Sequence, residues 1–176
     1  MITLKYINWL LFAIFFVFQG CASKDEQLKK KIIGSYSFAQ TDDKEEDIIV
    51  TVNGTEVFKS NGVYLTYGTM IMSVIDEDGY KNTLKYKIEA SAKYEIKNSY
   101  IIYDSKLEDI EITLIQSDNR TLSQLMQDHY IPQIKHEMIA NNKERILELT
   151  DKYMKTEEDT DGEKLIMTYI KLSEKN

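Results

Sequence analysis

The most regular hydrophobic pattern in the chain is a strict alternation over residues 83–96. Every even position carries an apolar or small side chain, and every odd position carries a polar one. A period of two is typical of an antiparallel strand with one buried face and one face in water. The larger side chains of the buried face are the predicted lining of an interior cavity: Leu84, Tyr86, Ile88, Tyr94 and Ile96. The small centre, residues 90–92, indicates a bend.

Turn signals separate further strand-like runs between residues 32 and 116. Asn53-Gly54 and Asn61-Gly62 both have the composition of a two-residue hairpin turn, which requires positive φ at both positions. They lie so close together that one of them can instead be a bulge, and Asn61-Gly62 is the stronger turn candidate. The Asp-Glu-Asp-Gly run at residues 76–79 predicts another turn.

A helical pattern interrupts the strands at about residues 121–142. Thr121 or Ser123 is the candidate N-cap, and Pro132 must kink the helix or begin a second one. Two more strands, 145–153 and 164–172, are predicted to follow, joined by an acidic turn at 156–163. The sequence therefore predicts a mainly β fold: an antiparallel barrel of eight or nine strands, or a sandwich, with a helical insertion before the last two strands.

The first twenty residues have a different character. Lys5 is their only charge, and Trp9–Phe18 is a run of ten residues with no charged or amide side chain. A membrane-spanning helix needs about 20 apolar residues, whereas a run of about ten is the length of the apolar core of a signal peptide. Residues 1–20 are therefore predicted to be a signal peptide, with 32–176 forming a single domain.

The end of this run resembles the lipobox of bacterial lipoproteins. Gly20 and Cys21 match its small residue and its acylated cysteine, while Phe18 and Gln19 replace the preferred Leu and small residue. The resemblance implies cleavage between Gly20 and Cys21, acylation (palmitate) of Cys21 and anchoring to the membrane of the cell envelope. The outer membrane is favoured, with the periplasmic face and the cell surface both open. An ordinary secretory signal and a short buried helix are the alternatives. Residues 21–31 are polar and are expected to form a tether.

Several short motifs in the domain resemble small lipocalin-like bacterial lipoproteins. Gly34-Ser35-Tyr36 resembles their opening Gly-x-Trp, with Tyr in place of Trp, and residues 57–64 resemble a hairpin of that family. Residues 93–96 and 167–171 resemble later strands. The resemblance implies a β-barrel that can hold a small apolar ligand, and it implies no enzymatic activity.

The charge and composition narrow the choice of function. The 176 residues carry a formal net charge of −7, which is unlike the basic surfaces that hold nucleic acid. The single Cys excludes an internal disulfide and a multi-cysteine zinc site. His129 and His136 are seven residues apart, about 10 Å along a helix, so they cannot both bind one metal ion. The run 157–162 echoes part of a calcium loop, although a plain turn is favoured.

The rest of the sequence contains no motif that indicates catalysis or cofactor binding. No Ser or Thr stands in a recognisable nucleophile motif, so we expect no catalytic residues, no cofactor and no metal site. Two functions remain open. The first is binding of a small apolar ligand inside the barrel, and the second is a protein-interaction role for a barrel with a filled interior. The sequence identifies no protein partner.

Overall fold

The computed structural model describes residues 23–45, 47–75, 78–160 and 163–173. Gly20 and Cys21, and with them the predicted signal peptide and acylation site, lie outside the described residues. Within the described part of the chain, no helix has the length and hydropathy needed to cross a membrane.

Nine antiparallel strands form one continuous sheet. In chain order they are β1 (Gly34–Glu45), β2 (Ile48–Phe58), β3 (Val63–Ile75), β4 (Lys81–Lys97), β5 (Tyr100–Asp104), β6 (Ile110–Ser117), β7 (Lys143–Leu149), β8 (Tyr153–Thr160) and β9 (Glu163–Lys171). Strand β1 pairs with both β2 and β9, which closes eight of the strands into a barrel. The ninth strand, β6, lies outside it. The predicted mainly β antiparallel barrel is confirmed.

Strand β4 is the longest strand and changes partner along its length. Its first half pairs with β6 over Leu84–Ala90, and its last residues pair with β5 from Lys93 onwards. Its opposite edge pairs with β3 throughout Lys81–Lys93. The exchange of partners falls at Ser91 and Ala92, the small-residue segment at which the sequence predicts a bend.

The segment expected to be a polar tether is instead a helix, α1 (Lys24–Ile32). Ser23 caps it by accepting a hydrogen bond from the Glu26 amide at 3.2 Å. The acidic residues of its first turn and the lysines of its last turn both favour the helix dipole. One apolar row, Leu28 and Ile32, packs against the barrel interior, and Ile32 is completely buried. This buried row is what distinguishes α1 from a linker.

The two Asn-Gly pairs have different structures. Asn61-Gly62 lies in the turn between β2 and β3, but only Gly62, with a φ of +78°, has the positive φ that the predicted two-residue turn requires at both positions. Asn53-Gly54 lies within β2 in unbroken register with both neighbouring strands, so it is neither a turn nor a bulge. Gly54 faces Gly68 of β3, and a Cβ at Gly54 would come within 2.4 Å of the Tyr67 carbonyl oxygen. Close approach of two strands, rather than a turn, requires this glycine.

The helical segment between β6 and β7 consists of α2 (Arg120–Leu125), a π-helical turn (Met126–Tyr130) and α3 (Ile131–Ala140). Asn119, rather than Thr121 or Ser123, caps α2 by accepting a hydrogen bond from the Leu122 amide at 3.0 Å. Pro132 stands in the first turn of α3, directly after the π-helical turn, where the intrahelical hydrogen-bond pattern changes. The π turn carries the helix without interruption into α3.

Three strands follow the helices, where the sequence predicts two. The stretch 145–153 reverses at Thr150–Lys152, because the Thr150 hydroxyl accepts hydrogen bonds from the amides of Lys152 and Tyr153. The predicted acidic turn at 156–163 is also too long, since β8 continues to Thr160. Glu157 lies within β8 and forms ion pairs with Lys164 at 3.2 Å and with Arg145 at 3.8 Å on the neighbouring strands.

Two apolar clusters of the described residues pack inside the barrel. The first lies against α1 and includes Tyr36, Phe58 and Met154. The second lies beneath the helical segment and includes Met70, Leu84 and Met126. The cavity described next is bordered by members of both clusters.

Candidate functional site

The barrel contains a cavity of about 370 Å³ beneath α3. Its apolar wall comes from strands on several sides of the barrel and from the covering helix: Phe38, Val52, Met70, Ile88, Ile134 and Met138. The space is partly open to solvent, and its volume falls within the range of small-molecule pockets.

Small side chains on β4 leave room for the cavity. Ala90, Ser91 and Ala92 all border it, at the point where β4 changes partner. On the opposite wall, the Phe38 ring lies close to Gly54, where a Cβ would meet the ring at 3.1 Å. Larger side chains at Ala90, Ser91 and Ala92 would reduce this space.

Two glutamates from opposite sides of the barrel meet at the cavity. Glu56 of β2 and Glu144 of β7 are both buried, and both border the space. The carboxylate of Glu144 accepts hydrogen bonds from the Tyr103 hydroxyl (3.2 Å, to Oε1) and from the Tyr169 hydroxyl (3.4 Å, to Oε2). The carboxyl of Glu56 interacts with the Tyr64 hydroxyl, but its Oε2 atom has no hydrogen-bond partner among the described residues. Both oxygens of Glu144 therefore have phenol donors, whereas one oxygen of Glu56 has none.

Burial raises the pKa of Glu56 well above its ordinary value, and the neighbouring Glu144 raises it further. Burial also raises the pKa of Glu144, while the hydrogen bonds from Tyr103 and Tyr169 act in the opposite direction. Two buried carboxylates that lie this close titrate as a pair, and the pair holds a proton more strongly than exposed acids do.

The tyrosines around the two acids are hydrogen-bond donors at neutral pH. Burial raises the pKa values of Tyr64, Tyr103 and Tyr169 well above 10, and the nearby glutamates add to each shift. Thr66 donates a short hydrogen bond to the Tyr64 hydroxyl. The site thus combines fixed phenol groups and aromatic faces with two acids.

The structure separates the five residues predicted to line a cavity. Ile88 borders it. Leu84 and Tyr86 pack in the cluster beneath the helices, and Tyr94 and Ile96 pack in or against the cluster beside α1. Strand alternation identifies the inward face of β4, but the two ends of that face are covered by helices and only its middle is left open.

Sequence reasoning missed Glu56 and Glu144, although a signal for Glu56 was present. Glu56 falls on the same side of β2 as Val52 and Phe58, so it is a charged residue at an inward position. Glu144 stands two residues before Ile146, which is buried on the same strand. A charge on the apolar face of a strand is rare enough to mark a site.

The other residues considered for chemistry lie outside the cavity. His129 and His136 are exposed on the helical segment. In the described ranges, no group of three or more His, Cys, Asp or Glu is arranged to hold a metal ion. Glu157 contacts Arg145 and Lys164 on the outside of the barrel.

Comparison with known proteins leaves the family open. A scan of the chain against protein-family models finds no match, and a search of curated proteins finds no similar sequence.

Proposed function

We propose that this protein is a lipid-anchored lipoprotein of the bacterial cell envelope whose barrel binds a small molecule in its interior cavity. The observation that carries the proposal is a cavity of about 370 Å³ bordered by Glu56, a buried acid with an unpartnered oxygen. Ligand sites commonly occupy about 300–1,000 Å³ and combine an apolar wall with a few fixed polar groups. The proposed role is binding, because the resemblance to lipocalin-like lipoproteins implies a barrel that can hold a ligand and does not imply an enzyme.

The anchoring part of the proposal rests on the lipobox-like sequence that ends at Cys21. Ser23, the cap of α1, follows only two residues later, so acyl chains on Cys21 would hold the α1 end of the barrel within about 7 Å of their attachment point. Two or three acyl chains give stable membrane attachment, where one chain gives marginal attachment.

Substitution of the cysteine tests the anchor. Cys21→Ser should move the protein from the membrane fraction to the soluble fraction of its host and should remove the mass of the acyl chains. Ser23→Ala, two residues away, is the matched control and should remain in the membrane fraction. A Cys21→Ser protein that still fractionates with the membrane would contradict the anchoring proposal.

Methionine methyl groups offer a direct test of binding. Met70 and Met138 border the cavity, whereas Met154 is fully buried in the cluster beside α1. We expect a small-molecule extract of the host to shift the ¹³C-methyl NMR signals of Met70 and Met138 and to leave that of Met154 in place. Unchanged signals from all three methionines would contradict a ligand-binding cavity.

A protein-interaction role is the second candidate, and one observation favours it. The outer face of β9 exposes Ile166 and Ile170, with Leu172 following the strand on the same side. Neighbouring exposed apolar side chains of this kind often mark a docking surface. Replacing Ile166 and Ile170 with Thr would abolish crosslinks to a protein partner in intact cells if this role is correct, and would leave ligand binding unchanged.

A further inference from the structure

Glu56 is the part of the cavity that says most about its ligand. Its side chain is only 6% exposed, it borders the cavity, and its Oε2 atom lacks a hydrogen-bond partner. A buried carboxylate oxygen without a donor is costly, and native structures usually satisfy such atoms. A bound group that donates a hydrogen bond or carries positive charge would satisfy this oxygen.

The wall of the cavity supplies no such charge. Four of the described residues that border it are glutamates, namely Glu56, Glu137, Glu144 and Glu158. No described residue at the border of the cavity is Lys, Arg or His. Two of these acids, Glu56 and Glu144, are buried and lie close enough for each to affect the other. A ligand with a positive charge would be attracted by this wall, and an anionic ligand would be repelled.

The surroundings favour an organic cation over a metal ion. The described residues form no group of three acids or histidines that could hold a metal. The two buried acids are instead accompanied by the rings of Phe38, Tyr64 and Tyr103 and by the apolar side chains of Met70 and Ile88. Aromatic faces attract ammonium groups, and apolar walls bind the carbon body of a ligand.

We infer that the cavity binds a small organic amine in its protonated form, with the ammonium nitrogen beside the carboxylates of Glu56 and Glu144. The apolar body of the amine packs against Phe38, Met70 and Ile88. This inference rests on the proposed binding function and specifies the chemical class of its ligand. It replaces the expectation of an uncharged apolar ligand.

The affinity for such an amine should rise with pH. The titratable groups that border the cavity together with Glu56 are Tyr64 of β3, Tyr103 of β5, Glu144 of β7, Glu158 of β8, Tyr169 of β9 and Glu137 of α3. The tyrosines stay neutral below about pH 10 because burial raises their pKa values. The paired acids lose their shared proton as the pH rises, whereas an alkylamine stays charged up to about pH 10, so an ammonium binds the deprotonated pair most strongly.

Three probes of nearly equal shape test the inference. Tryptamine carries a positive charge, tryptophol is uncharged, and indole-3-propionate carries a negative charge. The single Trp of the chain is Trp9, within the predicted signal peptide, so the mature polypeptide (residues 21–176 with Cys21→Ser) has no indole of its own. Indole fluorescence then reports binding of each probe directly.

At pH 8 we expect tryptamine to bind about tenfold or more tightly than tryptophol, the size of effect that a charged hydrogen bond typically gives. Glu56→Gln should remove that preference and leave tryptophol binding unchanged. The matched control is Glu95→Gln, which changes an exposed acid on β4. Tryptamine binding to the wild type should weaken toward pH 5, and tryptophol binding should not.

Three results would overturn the inference. Equal affinity for the three probes, or tightest binding of indole-3-propionate, would mean that the acids do not select a cation. Failure of tryptamine to bind at pH 8 would also overturn it. The methionine NMR experiment with host extract separates this failure from failure of the proposed function, because selective shifts of Met70 and Met138 would show a cavity that binds another class of molecule.

Discussion

Two buried tyrosines keep hydroxyl groups that make no hydrogen bond. The Oη atoms of Tyr36 and Tyr86 lie within the barrel without partners, and both residues are completely buried. Burial raises the pKa of Tyr36 to about 12, so its phenol is neutral under physiological conditions. Tyr36 also packs edge-on against Phe58, with 5.9 Å between ring centroids. Its ring stabilises the α1 end of the barrel, while its hydroxyl group does not.

Removing the Tyr36 hydroxyl should therefore not lower the free energy of unfolding. We expect Tyr36→Phe to keep or raise the free energy of unfolding by up to about 1 kcal/mol, because it removes an unsatisfied buried group. Tyr94→Phe is the matched control, since the Tyr94 hydroxyl donates to the Lys59 carbonyl oxygen at 3.0 Å, and it should lose about 1 kcal/mol. Urea unfolding measures both. A larger loss for Tyr36→Phe than for Tyr94→Phe would show that the Tyr36 hydroxyl has a partner after all.

Glu56 should make the stability of the protein depend on pH. Its pKa is raised in the folded state above an ordinary value of 4.5, so the folded protein holds a proton that the unfolded chain releases. The stability that protonated Glu56 contributes is then fully present below about pH 4.5 and is lost as the pH rises through its folded-state pKa. Glu56→Gln should raise the melting temperature at pH 8 and change it little at pH 4.5.

Thermal unfolding between pH 4.5 and pH 8 measures this effect. Glu95→Gln, at an exposed position on β4, should follow the wild-type curve. Glu56→Gln should remove only part of the pH dependence of the melting temperature, because Glu144 remains and its pKa is raised by burial as well. Parallel curves for Glu56→Gln and the wild type would mean that Glu56 is solvated in the folded protein.

Among the secondary-structure elements, α1 closes one end of the barrel and also organises a turn. Its Asp25 carboxylate accepts hydrogen bonds from the amides of Asn98 (2.8 Å) and Ser99 (3.0 Å). Both residues have positive φ, 54° and 65°, which costs energy in any residue other than glycine. The helix thus stabilises the turn between β4 and β5 while it buries Leu28 and Ile32.

Shortening the buried side chain of α1 should have a large effect. Ile32→Ala should lower the free energy of unfolding by about 2–4 kcal/mol, because it leaves a cavity in the cluster beside α1. Lys30→Ala, on the exposed side of the same helix, is the control and should stay within about 0.5 kcal/mol of the wild type. Equal effects of the two substitutions would mean that α1 is not docked on the barrel.

How well each element could be predicted depended on how local its signal is. The fourteen-residue alternation of β4 is local, and so is the positive φ of Gly62 in its turn. The helix α1 escaped prediction because its apolar row has only two members, Leu28 and Ile32, and its stability comes from docking. The Asn53-Gly54 pair was misread as a turn signal. Glycine is required at position 54 because the backbone near Gly68 on the neighbouring strand comes close to it, and no local sequence pattern reveals that contact.

At the scale of the whole molecule, barrel closure creates the candidate site. Glu56 and Glu144 belong to strands that are far apart in the chain and do not pair with each other, yet both border one cavity. The inward position of Glu56 could be read from β2, but its meeting with Glu144 depends on the pairing of β1 with β9. The fold class could therefore be predicted from the sequence, whereas the site could not.

A native mass spectrum of the full-length protein, extracted from its host in mild detergent, tests the central claim most directly. We expect an added mass that denaturation releases. Ala90→Leu, which fills the cavity, should lose the added mass, and Ala39→Leu, at an exposed position on β1, should keep it. The bare mass of the polypeptide in the wild type, or an added mass that Ala90→Leu retains, would contradict a ligand-binding cavity.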